Sequence, residues 1–153
     1  MPARSAGILL HRRRGESLEV LLVHPGGPRW AARDLGSWSV PKGEYLPDED
    51  PLVAARREFE EELGSPAPAD SAQALGEVRL RSGKRIVAWA LAGDLDAGTA
   101  RSNTFEMEWP PRSGRRIEVP EVDRAEWFTA DEARRRLNPA QVPFVDRLEQ
   151  LLA

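Results

Sequence analysis

Residues 50–64 predict a short amphipathic helix, and this helix constrains the fold more than any other part of the chain. Asp50 suits the N-cap, Pro51 suits the first helical position, and Gly64 suits a left-handed C-cap. At about 100° per residue, one stripe of the helix is apolar and should face a core. That stripe contains Leu52, Ala55, Phe59 and Leu63.

A second stripe of the same helix is acidic. Glu58, Glu61 and Glu62 lie three and four positions apart, so they share a face. Like charges at these spacings repel by roughly 0.2–0.5 kcal/mol per pair when solvated. Two interpretations follow: a solvated acidic face, or a site for a hard divalent cation such as Mg²⁺, which takes oxygen ligands. For the helix alone, the solvated face is favoured.

The residues around the helix reverse this preference. Residues 43–65 resemble the signature of the Nudix hydrolase family, in which glycines, glutamates and an arginine recur at fixed spacing. Phe59 occupies a hydrophobic position of that signature, and Ser65 departs from it at the last hydrophobic position. The fixed positions are filled by Gly43, Glu49, Arg57, Glu58, Glu61, Glu62 and Gly64.

The resemblance implies an enzyme that hydrolyses a phosphoanhydride bond with Mg²⁺, for which Mn²⁺ can substitute. It implies metal ligands at the carbonyl of Gly43 and at Glu58, Glu61 and Glu62. Arg57 precedes Glu61 by one turn, so we expect it to hold that carboxylate's rotamer. One carboxylate, on the helix or in a later loop, should orient or deprotonate the attacking water. The expected catalytic residues are Glu58, Glu61, Arg57 and Glu121.

The assignment of Glu121 also depends on the resemblance. Many relatives have a further glutamate in a loop far along the chain. We prefer Glu121 because Glu121-Val122, shortly before Trp127-Phe128, resembles the segment that carries it. The other candidates are Glu106, Glu108 and Glu118.

Several residues outside the helix are candidates for substrate contacts. Residues 38–44, W-S-V-P-K-G-E, are similar to a Nudix subset that contains dinucleoside polyphosphate hydrolases and enzymes acting on capped or triphosphorylated RNA. Lys42 is a candidate phosphate contact. Trp38 and Tyr45 are candidate aromatic contacts, and Trp30 either covers a core edge or stacks on a nucleobase.

A basic turn offers a second group of substrate contacts. Its arginines suit a polyanion, but a solvated loop is an equally good interpretation. These residues do not distinguish one polyanionic substrate from another. They are Arg112, Arg115 and Arg116.

Composition narrows the class of protein. A chain of 153 residues with 41% hydrophobic and 31% charged residues predicts one globular domain, residues 1–153. Its net charge of −3 gives no basic field for bulk nucleic-acid binding. It has no cysteine, no apolar run long enough for a membrane helix, and no apolar core of a signal peptide near its start. We therefore expect a cytoplasmic protein without a membrane partner.

The order of predicted elements gives the fold class. Strands surround the acidic helix, and a helical unit follows at the end of the chain. This order predicts a mixed sheet with helices on both faces, and the resemblance implies the same α/β/α sandwich. The predicted strands are residues 5–11, 18–24, 38–41, 75–81, 84–92 and 103–110.

Three functional hypotheses compete. The first is a pyrophosphohydrolase acting on a dinucleoside polyphosphate or a nucleoside triphosphate. The second keeps the chemistry but takes a diphosphoinositol polyphosphate or an RNA 5′ end. The third is a non-catalytic module: a nucleotide sensor or a structural domain with an acidic helix. Sensor modules tend to lose the acidic residues of the signature, all of which are present here.

Overall fold

The computed structural model describes residues 3–153. Eight strands and three α-helices account for most of this range. The strands are β1 (Arg4–Arg14), β2 (Ser17–Pro25), β3 (Lys42–Glu44), β4 (Gln73–Arg79), β5 (Arg85–Ala92), β6 (Thr104–Glu108), β7 (Arg116–Pro120) and β8 (Val122–Thr129). The helices are α1 (Pro51–Leu63), α2 (Ala130–Arg136) and α3 (Val142–Leu152), with single 3₁₀ turns at Ala97–Thr99 and Pro139–Gln141.

The central sheet is mixed, in the order β4-β5-β1-β2-β8. β1 runs parallel to β5 and antiparallel to β2, and β3 pairs with the start of β1. Residues 5–11 of β1 are buried. Burial on both faces explains their continuous apolar run, which is typical of a strand at the centre of a sheet covered on both sides.

Helices cover both faces of this sheet. Ile8 and Leu10 of β1 point to one face and share a core with Phe59 of α1. Leu9 points to the other face and shares a core with Phe144 of α3. The alternation of neighbouring β1 residues between two cores follows from the two-residue period of a strand. The predicted α/β sandwich with a mixed sheet is confirmed. Within residues 3–153, no helix has both the length and the apolar character needed to cross a bilayer.

β1 and β2 extend further than predicted. Residues 12–14, expected in a turn, continue the antiparallel ladder, and Arg12 lies opposite Glu19. The Arg12 guanidinium donates to the Glu19 carboxylate at 2.9 Å, and this ion pair stabilises the extension. Residues 38–41 form only isolated bridges instead of the predicted strand.

A separate two-stranded sheet, β6-β7, lies beside the main one. β7 ends at Pro120 and β8 begins at Val122, so Glu121 lies at the junction of the two sheets. A Cβ on Gly26 would lie 2.0 Å from the carbonyl oxygen of Pro120, and the Gly26 N–H donates to the carbonyl of Glu121 at 3.0 Å. Only glycine allows this approach, which holds the loop after β2 against the Glu121 backbone.

Candidate active site

The ends of α1 are those that the sequence predicts. The Asp50 carboxylate accepts from the N–H groups of Leu52, at 2.9 Å, and Val53, at 3.3 Å. Gly64 adopts a φ of 78°, the left-handed conformation of a C-cap. Fixed ends and a buried apolar stripe set the rotation of the helix, so its acidic stripe lies at the edge of β3.

Three carboxylates converge at this edge. One oxygen from each of Glu58, Glu62 and Glu121 lies within 4.8 Å of the other two. Glu62 is buried, and burial raises its pKa to about 8. Burial also raises the pKa of Glu58 and of Glu121, and the nearby charge of Glu61 raises both further. Such crowding of acids is unfavourable unless a cation or protons neutralise it.

The absence of a side chain at Gly43 leaves space for the Glu58 carboxylate. A Cβ at Gly43 would lie 2.0 Å from a carboxylate oxygen of Glu58, so any other residue would displace that carboxylate. The N–H of Lys42 donates to the Glu62 carboxylate at 3.3 Å. The donors assembled here are hard oxygen atoms, the type that Mg²⁺ and Mn²⁺ prefer. The described residues therefore fit the divalent cation that the resemblance implies.

Arg57 links the cluster to the loop before α1. Its guanidinium donates to Glu49 and, at 3.2 Å, to Glu58. Glu49 in turn accepts from the N–H of Leu46 at 2.9 Å. Arg57 Nε lies 3.9 Å from the nearest Glu61 oxygen, so its closer contact is with Glu58 and not with the carboxylate that the helix spacing predicts. Glu61 is exposed and lines the same cleft.

The cleft beside the carboxylates has a volume of about 740 Å³. Its lining includes Lys42, Lys84 and two aromatic side chains, Trp30 and Phe105. A second pocket of about 440 Å³ adjoins it and shares both aromatic residues. The remaining lining residues of this second pocket include Met107, Glu108, Pro111 and Arg112.

A buried histidine holds two walls of the cleft together. His24 is completely buried, with Nδ1 2.7 Å from a carboxylate oxygen of Asp123 and Nε2 2.6 Å from the carbonyl of Arg33. Each ring nitrogen therefore has an acceptor oxygen within hydrogen-bond distance. His24 thus ties the loop that contains Trp30 to the start of β8, two residues after Glu121.

The structure contradicts the predicted substrate contact of Trp38 and places Tyr45 outside the cleft. Trp38 has no exposed surface, packs edge-on against Phe128, and donates from Nε1 to Asp34 at 2.7 Å. A side chain so enclosed cannot contact a substrate, so the prediction for Trp38 is wrong. Tyr45 packs against the core beneath α1 and lines a separate pocket with Arg4.

The predicted arginines also differ in position. Arg112 lines the second pocket, whereas Arg115 and Arg116 line neither that pocket nor the cleft. Arg116 lies 3.5 Å from Glu106 across the β6-β7 pair. Among the four candidate later glutamates, only Glu121 joins the carboxylate cluster. The other three lie on β6 and β7, where each contacts a neighbouring residue of the same hairpin.

Two cleft residues, Lys84 and Phe105, were not predicted as site residues. Phe105 lies in the predicted strand of residues 103–110, and nothing in that sequence indicates a cleft. Lys84 follows the turn at Ser82-Gly83, which pairing of β4 with β5 brings to the cleft. A signal for Lys84 was present: Lys42 and Lys84 are the only two lysines of the chain.

A family model for the NUDIX domain matches residues 1–148. The chain belongs to the Nudix family. This membership confirms the resemblance and supports the assignment of the chain as an enzyme, a Nudix pyrophosphohydrolase. No curated protein matches the sequence significantly.

Several solved structures share the fold of this Nudix protein. A C. elegans Ap4A hydrolase, solved as a binary complex, is 19% identical with a TM-score of 0.65 over 98% of this chain and 97% of that one. The NUDIX domain of Shewanella oneidensis NrtR, complexed with ADP ribose, is 17% identical with a TM-score of 0.67 over 100% and 90%. The E. coli ORF135 protein is 23% identical with a TM-score of 0.62 over 99% and 91%. At these identities the likeness concerns the fold alone.

Proposed function

We propose that this Nudix protein hydrolyses a phosphoanhydride bond of a nucleoside polyphosphate in a Mg²⁺-dependent reaction. Dinucleoside polyphosphates and nucleoside triphosphates are the candidate substrates. The supporting observation is the convergence of Glu58, Glu62 and Glu121 within 4.8 Å, beside a cleft that also contains lysines and aromatic side chains. An acidic cluster alone would repel a polyphosphate, so this combination requires a cation between them.

Glu58, Glu62, Glu121 and the carbonyl of Gly43 are the groups that would hold the metal, with Glu61 as a further candidate. A bound Mg²⁺ would neutralise phosphate oxygens and lower the pKa of a bound water. Arg57 would keep Glu58 oriented through its hydrogen bond of 3.2 Å. Mn²⁺ has the same preference for oxygen ligands and should substitute.

Glu61 is our candidate for accepting the proton of the attacking water. It lines the cleft, is exposed, and lies outside the group of three converging oxygens. Its carboxylate is therefore accessible to a water that approaches the substrate from the cleft. Arg57 lies 3.9 Å away and limits the range of positions that the carboxylate samples.

The aromatic wall supports a nucleotide as the substrate. Trp30 and Phe105 are 37% and 42% exposed and line both the cleft and the second pocket. An exposed aromatic face beside a phosphate site offers stacking for any nucleobase. The Arg33 guanidinium lies 5.4 Å from the Trp30 ring centre and supports its orientation by a cation–π contact. Arg112 lies at the same pocket, where it can contact an anionic or ribose group.

A substrate panel tests the proposal. Purified protein is assayed with Mg²⁺, with Mn²⁺ and with a chelator against nucleoside triphosphates, dinucleoside polyphosphates, ADP-ribose, a diphosphoinositol polyphosphate and 5′-triphosphorylated RNA. We expect a phosphorylated product from a nucleotide only when a divalent metal is present. Metal-independent turnover would contradict the proposal.

Substitutions in the cleft test the roles of individual residues. Glu61→Gln and Glu62→Gln should each lower kcat/KM by about 10²-fold or more, whereas Glu60→Gln, at an exposed position of the same helix, should leave it unchanged. Unchanged turnover in both Glu61→Gln and Glu62→Gln would refute the assignment. Trp30→Ala should raise KM for nucleotides but not for a diphosphoinositol polyphosphate, which has no base to stack. Tight nucleotide binding without turnover would instead support a sensing module.

A further inference from the structure

One buried imidazole contacts two segments of the cleft. His24 lies near the end of β2, has no exposed surface and does not line the cleft. Its Nδ1 lies 2.7 Å from an Asp123 carboxylate oxygen, and its Nε2 lies 2.6 Å from the Arg33 carbonyl oxygen. A buried polar group that loses its partner costs free energy, so these two contacts fix the segments on either side of the ring. Any effect of His24 on the reaction must pass through these two neighbours.

The contact at Nε2 leads to Trp30 through Arg33. The Arg33 N–H donates to the Trp30 carbonyl at 2.9 Å, and the Trp30 N–H donates to the Gly27 carbonyl at 3.2 Å. Residues 27–33 thus form two successive turns, and His24 holds the far end of the second one. The Arg33 guanidinium also lies 5.4 Å from the centre of the Trp30 ring. Loss of the Nε2 contact should therefore widen the range of positions that this ring adopts.

The contact at Nδ1 leads to Glu121 through Asp123, which lies two residues further along the chain. The ladder between β2 and β8 is irregular here, because its register shifts between His24 and Pro25. The Gly26 N–H holds the Glu121 carbonyl at 3.0 Å, and the Asp123 side chain adds a second link from this segment to β2. Loss of the Nδ1 contact should therefore loosen the start of β8 and the Glu121 carboxylate with it.

We propose that His24 is a positioning residue with two separate effects. Nδ1 acts through Asp123 on the affinity of the carboxylate cluster for a divalent metal. Nε2 acts through Arg33 on the affinity of the Trp30 side of the cleft for a nucleobase. This inference rests on the proposed function and assigns a role to a residue that touches neither ligand.

Two amide variants separate the two effects. Asparagine places its amide nitrogen near the position of Nδ1, glutamine places it near that of Nε2, and each amide offers both a donor and an acceptor. His24→Asn should keep the contact with Asp123, so the Kd of Mn²⁺ should change less than about twofold. Its Kd for the imido analogue of ATP, at saturating Mn²⁺, should rise about fivefold or more.

His24→Gln should show the opposite pattern. It keeps the contact with the Arg33 carbonyl, so the Kd of the ATP analogue at saturating Mn²⁺ should change less than about twofold. Its Kd for Mn²⁺ alone should rise about tenfold, the lower end of the usual effect of removing a group that orients a metal ligand. Electron paramagnetic resonance measures free Mn²⁺, and calorimetry measures binding of the analogue.

The control is the other histidine of the chain. His11 is also buried, lies on β1 and does not line the cleft. His11→Gln should leave both Kd values unchanged. Asp123→Ala tests the Nδ1 side without altering the buried ring, because the Asp123 side chain is 31% exposed, and it should reproduce the rise in the Kd of Mn²⁺. Equal losses of both ligands in His24→Asn and His24→Gln, or no loss in either, overturn the proposal, because a purely structural role weakens both together.

The same binding measurements distinguish this inference from the proposed function. Opposite patterns in the two variants, with a wild type that hydrolyses no nucleotide, would support the positioning role while the proposed catalysis fails. Metal-dependent hydrolysis by the wild type, with identical losses in the two variants, would overturn the positioning role alone. A wild type that binds neither Mn²⁺ nor the ATP analogue would overturn both.

Discussion

Two charged regions of this Nudix protein are built in opposite ways. On the surface of α2 and α3, Arg134 donates to Asp146 at 2.9 Å and to Asp131 at 3.0 Å, and it also contacts Glu149. Arg136 nearby contacts Asp34 and Glu132, each at 2.8 Å. In the cleft, by contrast, three acidic side chains converge, and both lysines lack an ion pair among residues 3–153.

The contrast separates charges that are paired within the fold from charges that we propose bind a metal and a substrate. On the arginine surface, formed by Arg134, Arg135 and Arg136 with their acidic partners, each charged group has an oppositely charged neighbour, so this surface needs no added ion. The cleft is internally unbalanced, because burial and mutual repulsion oppose ionisation of Glu58, Glu62 and Glu121. Substitution on the arginine surface should therefore lower stability without changing activity, whereas removal of a charge in the cleft should lower activity and stabilise the metal-free protein.

The largest effect is expected from Glu62→Gln on activity. The amide keeps the shape of the side chain but removes the charge that would hold the metal, so kcat/KM should fall by about 10²–10³-fold. Steady-state hydrolysis of the best substrate at saturating Mg²⁺ measures this, with Glu60→Gln as the control. A fall of less than tenfold would mean that Glu62 does not hold the metal.

The same substitution should stabilise the metal-free protein. Burial raises the pKa of Glu62 to about 8 from an ordinary value of 4.5. The raised pKa of Glu62 stabilises the folded protein below about pH 4.5, where the carboxyl is protonated. This stabilisation is lost as the pH rises to about 8, because the buried carboxylate then ionises. At pH 8 with a chelator, Glu62→Gln should be more stable than the wild type by about 2 kcal/mol, or roughly 5 °C in Tm.

Thermal unfolding at pH 5 and pH 8, with chelator or Mg²⁺, checks this prediction. The difference between the variant and the wild type should grow from pH 5 to pH 8. Mg²⁺ should raise the Tm of the wild type and leave that of Glu62→Gln nearly unchanged. If Mg²⁺ does not raise the Tm of the wild type, the proposed difference between the two charged regions is contradicted.

A smaller effect is expected from Arg134→Met. This variant keeps much of the aliphatic stem but leaves Asp131, Asp146 and Glu149 without their shared cation. We expect a loss of about 1 kcal/mol, or roughly 3 °C in Tm, since the network is only partly shielded from water. Activity at a temperature well below Tm should not change. A large fall in kcat/KM without a change in Tm would contradict the assignment of this surface to stability.

The smallest effect is expected from Arg135→Gln. Arg135 is 64% exposed and pairs with Glu132 at 3.0 Å, three residues away on the same short helix. Solvent screening makes such a pair nearly neutral, so Tm should fall by less than about 1 °C. Differential scanning calorimetry at low and high salt measures it. A shift as large as that of Arg134→Met would mean that pairing on this surface is cooperative.

Much of helix α1 is predictable from the sequence because its determinants are local. The N-cap at Asp50 and the C-cap at Gly64 appear as predicted. The spacing of the glutamates along α1 fixes their common face whatever the rest of the chain does. The sequence neighbours of Glu121 favour it among four candidate glutamates, and the structure brings it to the same cluster.

Tertiary structure decided which of the other residues share the cleft. Trp38 precedes Lys42 by only four residues, yet it is enclosed between layers of the fold while Lys42 lines the cleft. Lys84 is remote in sequence and reaches the same cleft because β5 pairs parallel to β1. Spacing along a helix is a property of the backbone, whereas contacts between distant strands depend on sheet order and register, which local residue patterns do not specify.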